Sequence, residues 1–172
     1  MPFVLDNPVV SGWTVESRAT PYTEAIARRL ERDRALVPPI RELEFTNVLR
    51  TACTRGRLQA HVARAMVEQV MSLPIDVDRE PVRPAEVLAL ALRFGLSAYD
   101  AAYLELAVRH QVPIATTDPA LADAATASGA GWLARSVVWR LAQARAQGQL
   151  LGQGRAGRHQ ALFTRFLLLV EE

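Results

Sequence analysis

The stretch from Leu96 to Asp118 reads LSAYDAAYLELAVRHQVPIATTD, and it predicts a helix followed by a short strand. Asp100 lies one turn into the Ala-rich segment, and Asp118 stands where the apolar run VPIAT ends. Such a run is typical of a buried strand, and the longer segment before it is typical of a helix. An aspartate that follows a strand lies where open α/β sheets bind their ligands. These two acids are therefore the first candidate site residues.

Strands and helices alternate outward from this stretch. Strands are predicted at 2–5, 35–37, 74–77 and 112–115, and helices at 22–34, 40–55, 59–72, 83–93, 97–109 and 119–128. This alternation favours an α/β fold of three layers, α/β/α, with a parallel central sheet between the helices. Asp6 ends the first strand, and Asn7-Pro8 predicts a turn after it.

The chain divides by composition into residues 1–130 and residues 131–172. The first part has the alternating pattern and is long enough for one domain with its own core. The second part carries six Arg against two Glu in a loose pattern rich in Gly and Gln. It is predicted to be an atypical, Arg-rich helical extension. Because Arg binds phosphate in a bidentate way, contact with RNA is one role open to these residues.

Several protein classes are excluded by composition. A single cysteine, Cys53, allows neither an internal disulfide nor a cysteine-rich zinc site. The start MPFVLDNPVV does not resemble a signal peptide, and the run FLLLV at 166–170 is too short to span a bilayer. We therefore expect a cytoplasmic protein without membrane contact. Neither a P-loop nor a G-x-S-x-G motif is present.

Two more acids join the candidates. Asp6 lies at the end of the first strand, and Glu44 lies on the border between the apolar and polar faces of the helix at 40–55. Clustered carboxylates repel one another unless a cation neutralises them. Oxygen ligands of this kind suit Mg²⁺ or Mn²⁺. Together with Asp100 and Asp118, they predict a site for a divalent metal ion that could serve phosphodiester cleavage.

Each acid also has a purely structural interpretation. Asp100 follows Ser97 by three residues, as in a capping box, and Asp118 precedes a proline, as an N-cap does. Asp6 could cap the turn after the first strand. Glu44 could pair with an arginine of its own helix, Arg41 or Arg50.

Four blocks of the sequence resemble the PIN-domain family. The blocks are FVLDN at 3–7, VPPIRELEFTNVL at 37–49, GLSAYDAAYLELA at 95–107 and VPIATTDPALADAA at 112–125. They are most similar to the VapC branch, which comprises the toxin ribonucleases of bacterial toxin–antitoxin pairs. The resemblance covers about residues 1–128, and the last two blocks are its most specific part.

The resemblance implies a function and a set of site residues. Asp6, Glu44, Asp100 and Asp118 would be the catalytic, metal-binding acids, and Thr116 and Asn47 would be polar groups beside them. The implied activity is endonucleolytic cleavage of RNA with Mg²⁺ or Mn²⁺ and a metal-activated water. The implied partners are an RNA substrate, a cognate VapB-like antitoxin and a second copy of the chain in a homodimer.

Three features depart from the family pattern, and one of them is Arg41, which occupies a place often held by an aromatic residue. Pro8 stands where the family usually has Ser or Thr, which removes a hydroxyl and a backbone N–H beside the metal site. The short strand that usually follows the last helix is not evident in residues 130–134. The last two departures motivate an alternative hypothesis, a catalytically weak PIN-like module that binds RNA or protein. A third hypothesis is a Mg²⁺-dependent phosphohydrolase acting on small phosphate esters.

Overall fold

The computed structural model describes residues 1–14 and 19–134 of the chain. In that part the chain forms four strands and seven helices. They follow in the order β1 (Phe3–Leu5), α1 (Asn7–Thr14), α2 (Pro21–Arg29), β2 (Ala35–Val37), α3 (Ile40–Thr54), α4 (Ala60–Met71), β3 (Ile75–Val77), α5 (Pro84–Phe94), α6 (Ala98–His110), β4 (Ile114–Ala115) and α7 (Pro119–Ala127).

The four strands form one parallel sheet in the order β3-β2-β1-β4. β1 lies in the interior of the sheet, with Val4 opposite Leu36 of β2 on one side and opposite Ile114 of β4 on the other. Parallel strands bring their carboxyl ends to one edge. The residues that follow β1 and β4 are therefore neighbours at that edge.

Alternate residues of the strands supply two cores, one on each face of the sheet. Phe3 and Leu5 pack with buried residues of α1 to α4, such as Ile26 and Met66. Val4 points to the opposite face and packs with buried residues of α6 and α7. The predicted α/β fold with a parallel central sheet and helices on both faces is confirmed.

A charged cluster fixes the carboxyl end of α6 to the loop that follows β3. The Arg109 guanidinium donates hydrogen bonds to Asp78 at 3.1 Å, to Glu80 at 2.8 Å and to Glu105 at 2.9 Å. Asp78, Glu105 and Arg109 are all largely buried. Because α6 carries Asp100 at its other end, this cluster helps to orient a candidate site residue.

The region after β1 differs from its prediction. The turn expected at Asn7-Pro8 is the first turn of α1. Proline is tolerated there because the first N–H groups of a helix have no partner within the helix. Burial of Val9, Val10 and Trp13 stabilises the helix despite the Asn-Pro pair.

Residues 131–134 also pair with the sheet. Trp132 forms an isolated parallel bridge with Ile114 of β4, and Leu133 is buried in the core with Phe3 and Leu5. These four residues, predicted to begin the extension, thus continue the sheet beyond β4. The rest of the predicted extension, 135–172, lies outside the described residues.

No single helix of residues 1–14 and 19–134 is long and apolar enough to cross a membrane. Within these residues, α5 and α6 taken together reach that length and composition, but the chain bends by 108° between them.

Candidate active site

Asp6 lies at the carboxyl end of β1, beside the end of β4. Its backbone N–H donates to Ala115 of β4 at 3.0 Å, which continues the pairing of the two strands. The hydroxyl of Thr116, the residue that follows β4, donates to Asp6 Oδ2 at 2.6 Å. Both side chains are buried, with 2% of Asp6 and 1% of Thr116 exposed. Thr116, which was expected to lie beside a site acid, thus lies in hydrogen-bond contact with Asp6.

Asp118 is joined to the same pair through Thr116. Its backbone N–H donates to Thr116 Oγ1 at 2.9 Å. Its carboxylate caps α7, where Oδ1 accepts from the N–H groups of Ala120 at 2.7 Å and Leu121 at 3.1 Å. The predicted N-cap is confirmed, and the positive end of the helix stabilises the carboxylate's charge.

Asp100 occupies the first turn of α6, at the edge of the site. Ser97 is the N-cap of this helix, and its hydroxyl accepts from the Asp100 N–H at 3.1 Å. The same hydroxyl donates to Asp100 Oδ2 at 2.7 Å. The predicted pairing of these residues is present, and it fixes one carboxylate oxygen of Asp100 in place.

Glu44 lies on α3, and its side chain contacts α6 at the site. The Tyr103 hydroxyl donates to Glu44 Oε2 at 2.6 Å, across 59 positions of the sequence. A bond this short is typical of a hydrogen bond to a charged group. No ion pair joins Glu44 to Arg41 or Arg50 in the described part of the chain. The structural alternative for Glu44, pairing with an arginine of its own helix, is therefore wrong.

Three of the four acids interact electrostatically. Burial raises the pKa of Asp6 to about 7 against the Thr116 hydrogen bond, and the charges of Asp100 and Glu44 add to that rise. Burial also raises the pKa of Glu44, and the Asp100 charge raises it further. Like charges brought together in this way favour the binding of a cation. Of these three acids, Asp118 is linked to Asp6, through its own backbone N–H and the Thr116 hydroxyl.

The donor set fits a hard divalent cation by its chemistry. Glu44 keeps Oε1 free of hydrogen bonds to any described residue, while Tyr103 occupies Oε2. Asn7 Oδ1, in the residue after Asp6, is buried and likewise has no partner among those residues. However, within residues 1–14 and 19–134 no three carboxylate, imidazole or thiol groups already surround a common metal position.

Two residues near the acids have features that were not predicted from the sequence. Tyr103 was assigned no role, although it contacts Glu44 and is only 1% exposed. Arg41 is 2% exposed, its Nε has no partner among the described residues, and its charge lies close enough to act on Tyr103. The spacing of Arg41, Phe45 and Leu49, four residues apart on one helix face, is the signal that could have predicted its burial.

Asn47 lies apart from the acids in its contacts. Its side chain is exposed, and its Oδ1 accepts a hydrogen bond from Arg50 at 3.3 Å. No hydrogen bond joins it to a site acid in the described part of the chain. Its proposed place beside the metal site remains a prediction.

Known proteins resemble this chain in both sequence and fold. The family model described as PIN domain matches residues 3–127. Ribonuclease VapC12 of Mycobacterium tuberculosis, from strains CDC 1551 / Oshkosh and ATCC 25618 / H37Rv, is 34% identical over 104 residues. That match covers 60% of this chain and 79% of the relative. The crystal structure of PAE2754 from Pyrobaculum aerophilum has a TM-score of 0.61 at 23% identity, covering 83% of this chain and 96% of that one, and is similar in fold.

Proposed function

The chain belongs to the PIN-domain family, and from this we propose that it is a metal-dependent endoribonuclease, the toxin of a toxin–antitoxin pair. The match to Ribonuclease VapC12 supports cleavage of RNA as the reaction, since it extends over most of that protein's length. Hydrolysis of phosphodiester bonds by a divalent cation needs no protein nucleophile. That agrees with the absence of a nucleophile motif from the sequence.

One observation carries the proposal: carboxylates from separate elements meet at the carboxyl edge of a parallel sheet. Asp6 follows β1, Glu44 lies on α3 and Asp100 lies on α6, yet the charges of Asp100 and Glu44 act on Asp6, and that of Asp100 acts on Glu44. Purely structural acids have no need to converge, because each could cap its own helix or turn. Carboxylates that lie close together repel one another, which destabilises the folded protein unless a cation binds between them. Their proximity therefore supports a common ligand of positive charge.

The residues divide by role. Asp6, Glu44, Asp100 and Asp118 would hold Mg²⁺ or Mn²⁺, and such an ion, when bound, neutralises phosphate charge and makes a water more acidic. Thr116 orients Asp6 by donating to Oδ2, which leaves Oδ1 for other contacts. Because these acids do not yet surround a common position, binding requires their side chains to turn toward one another.

A cleavage assay on mixed-sequence RNA tests the proposal. We expect cleavage in Mg²⁺ or Mn²⁺ that EDTA abolishes and that Asp100→Asn reduces to background. Asp123→Asn is the matched control, since it makes the same change at an exposed aspartate of α7. Cleavage that survives both EDTA and Asp100→Asn would contradict the metal site.

Other outcomes of this assay distinguish the other hypotheses. Binding of RNA without cleavage, in a protein that takes up no metal at millimolar Mg²⁺, would favour a catalytically weak PIN-like binding module. Turnover of small phosphate esters without RNA cleavage would favour a phosphohydrolase.

The partners and the location form part of the same proposal. A cytoplasmic VapB-like antitoxin would restrain the nuclease, and the chain would act as a homodimer. An apolar surface supports contact with another protein: Leu88 and Leu92 of α5 are 59% and 76% exposed. Light scattering on the purified protein tests the dimer, and a monomeric mass would contradict it.

A further inference from the structure

We propose that Tyr103 is a positioning residue that holds Glu44 in the orientation needed for divalent cation binding; this inference rests on the proposed function. Its hydroxyl donates to Glu44 Oε2 at 2.6 Å, and its ring is buried among the residues that pack on the second face of the sheet. The donor is therefore rigid, and it acts on one oxygen of a site acid.

Glu44 differs from the three aspartates in how its side chain is held. Asp100 and Asp118 accept hydrogen bonds from residues within three positions of themselves, and Asp6 accepts from Thr116 on the adjoining strand segment. Glu44 lies within a helix and has a longer side chain with more rotatable bonds. Its described side-chain hydrogen bond comes from Tyr103, on a different helix. The position of its longer, more flexible side chain thus depends on a donor from a different helix.

The place of Tyr103 on α6 aligns Glu44 with a second acid. Tyr103 follows Asp100 by three residues, and residues at this spacing are neighbours on a helix surface. The Asp100 charge acts on Glu44, which agrees with that proximity. By bonding Oε2, Tyr103 leaves Oε1 of Glu44 without a hydrogen bond from any described residue. One helix therefore provides both an acid and the group that directs the acid of α3 toward it.

The alternative is that the hydrogen bond only satisfies the buried Tyr103 hydroxyl and has no effect on metal binding. A second buried tyrosine of the chain provides a control for this alternative. The Tyr22 hydroxyl donates to the Leu133 carbonyl oxygen at 3.0 Å, and Tyr22 is also buried. Tyr→Phe at either position removes a buried hydroxyl and keeps the ring. Only Tyr103→Phe should change metal binding if the proposal holds.

Calorimetric titration of the full-length protein with Mn²⁺ tests the proposal in a double-mutant cycle. We expect Tyr103→Phe to weaken Mn²⁺ binding about 10–100-fold, the range found when groups that orient metal ligands are removed. It should have no further effect in a Glu44→Gln background, because the group that it orients is then altered. Tyr22→Phe should bind Mn²⁺ like the unmodified protein. With RNA as substrate, kcat should fall in Tyr103→Phe with KM unchanged.

Several results would overturn the inference. They are unchanged Mn²⁺ affinity in Tyr103→Phe, an equal loss in the Glu44→Gln background, or no Mn²⁺ binding by the unmodified protein. If Tyr103→Phe fails to fold, Glu44→Asp replaces it, since the shorter side chain cannot meet the hydroxyl in the same position; undiminished Mn²⁺ affinity there would also overturn the inference. Failure of the proposed function would give a different result. The Mn²⁺ affinities of the double-mutant cycle would be as expected, but the unmodified protein would not cleave RNA.

Discussion

Asp6 is the site acid whose environment most strongly opposes its charge. It is 2% exposed, and burial raises its pKa from 3.8 to about 7. A pKa that is higher in the folded than in the unfolded protein favours folding when the group is protonated. The stabilisation is therefore complete below pH 4 and is lost as the pH rises through 7.

This shift predicts a pH-dependent stability in the metal-free protein. Between pH 5 and pH 8, in EDTA, the free energy of unfolding should fall more steeply for the unmodified protein than for Asp6→Asn. The whole shift corresponds to a difference on the order of 4 kcal/mol, part of it lying below pH 5. Urea denaturation of both proteins at both pH values measures the difference. Equal pH dependence of the two would contradict a buried, ionisable Asp6.

Arg41 is a buried cation with an unsatisfied donor. Its Nε has no partner in the described part of the chain, and burial lowers the pKa of the guanidinium. A methionine would keep much of the apolar stem without the charge. We therefore expect Arg41→Met to raise the free energy of unfolding by about 1–3 kcal/mol.

Thermal or urea denaturation tests this expectation. Arg50→Met is the control, since Arg50 is an exposed residue of the same helix, and it should change stability by less than about 0.5 kcal/mol. A clear loss of stability in Arg41→Met would show instead that the guanidinium is stabilising where it lies.

At the scale of elements, local patterns predicted most of the fold. The apolar runs at 35–37 and 112–115 predicted strands, and Ser97 and Asp118 predicted the starts of α6 and α7. These signals are local, because a cap or a buried strand is recognisable within a few residues. α1 was missed because Asn7-Pro8 resembles a turn, whereas its helical structure depends on tertiary burial of its apolar side chains.

Residues 131–134 were missed for a related reason. The contact of this segment with β4 rests on two backbone hydrogen bonds, from Ile114 to Gly131 at 3.0 Å and from Leu133 to Ile114 at 2.9 Å. Because only one residue pair forms a bridge, the sequence contains no long apolar run that would predict a strand here. The Tyr22 hydroxyl and the buried Leu133 side chain complete the contact, and both depend on residues distant in sequence.

This arrangement predicts that Leu133 belongs to the folded core. Leu133→Ala should lower the free energy of unfolding by about 2–5 kcal/mol, because it leaves a cavity against the sheet. Leu43→Ala, at a position of α3 that is 68% exposed, should change it by less than about 0.5 kcal/mol. Equal, small losses in the two variants would place the domain boundary before residue 131.

At the scale of the whole molecule, the sequence allowed the four acids to be proposed, but it did not predict the distant contacts that hold their side chains. Asp6 and Asp118 follow strands whose parallel pairing brings them to one edge, so their proximity follows from the fold class. The contact between Tyr103 and Glu44 joins two helices across 59 positions, and no local pattern encodes it. Nor does a pattern show that the acids stop short of surrounding a metal position.

The central claim is that these carboxylates bind a divalent ion in common. The most direct test is a crystal of the full chain soaked in Mn²⁺, with anomalous difference maps calculated at the manganese absorption edge. The account predicts a peak at the carboxyl edge of β1 and β4, in contact with oxygens of Asp6, Glu44, Asp100 and Asp118. An occupied position elsewhere, or no peak at this edge, would contradict it.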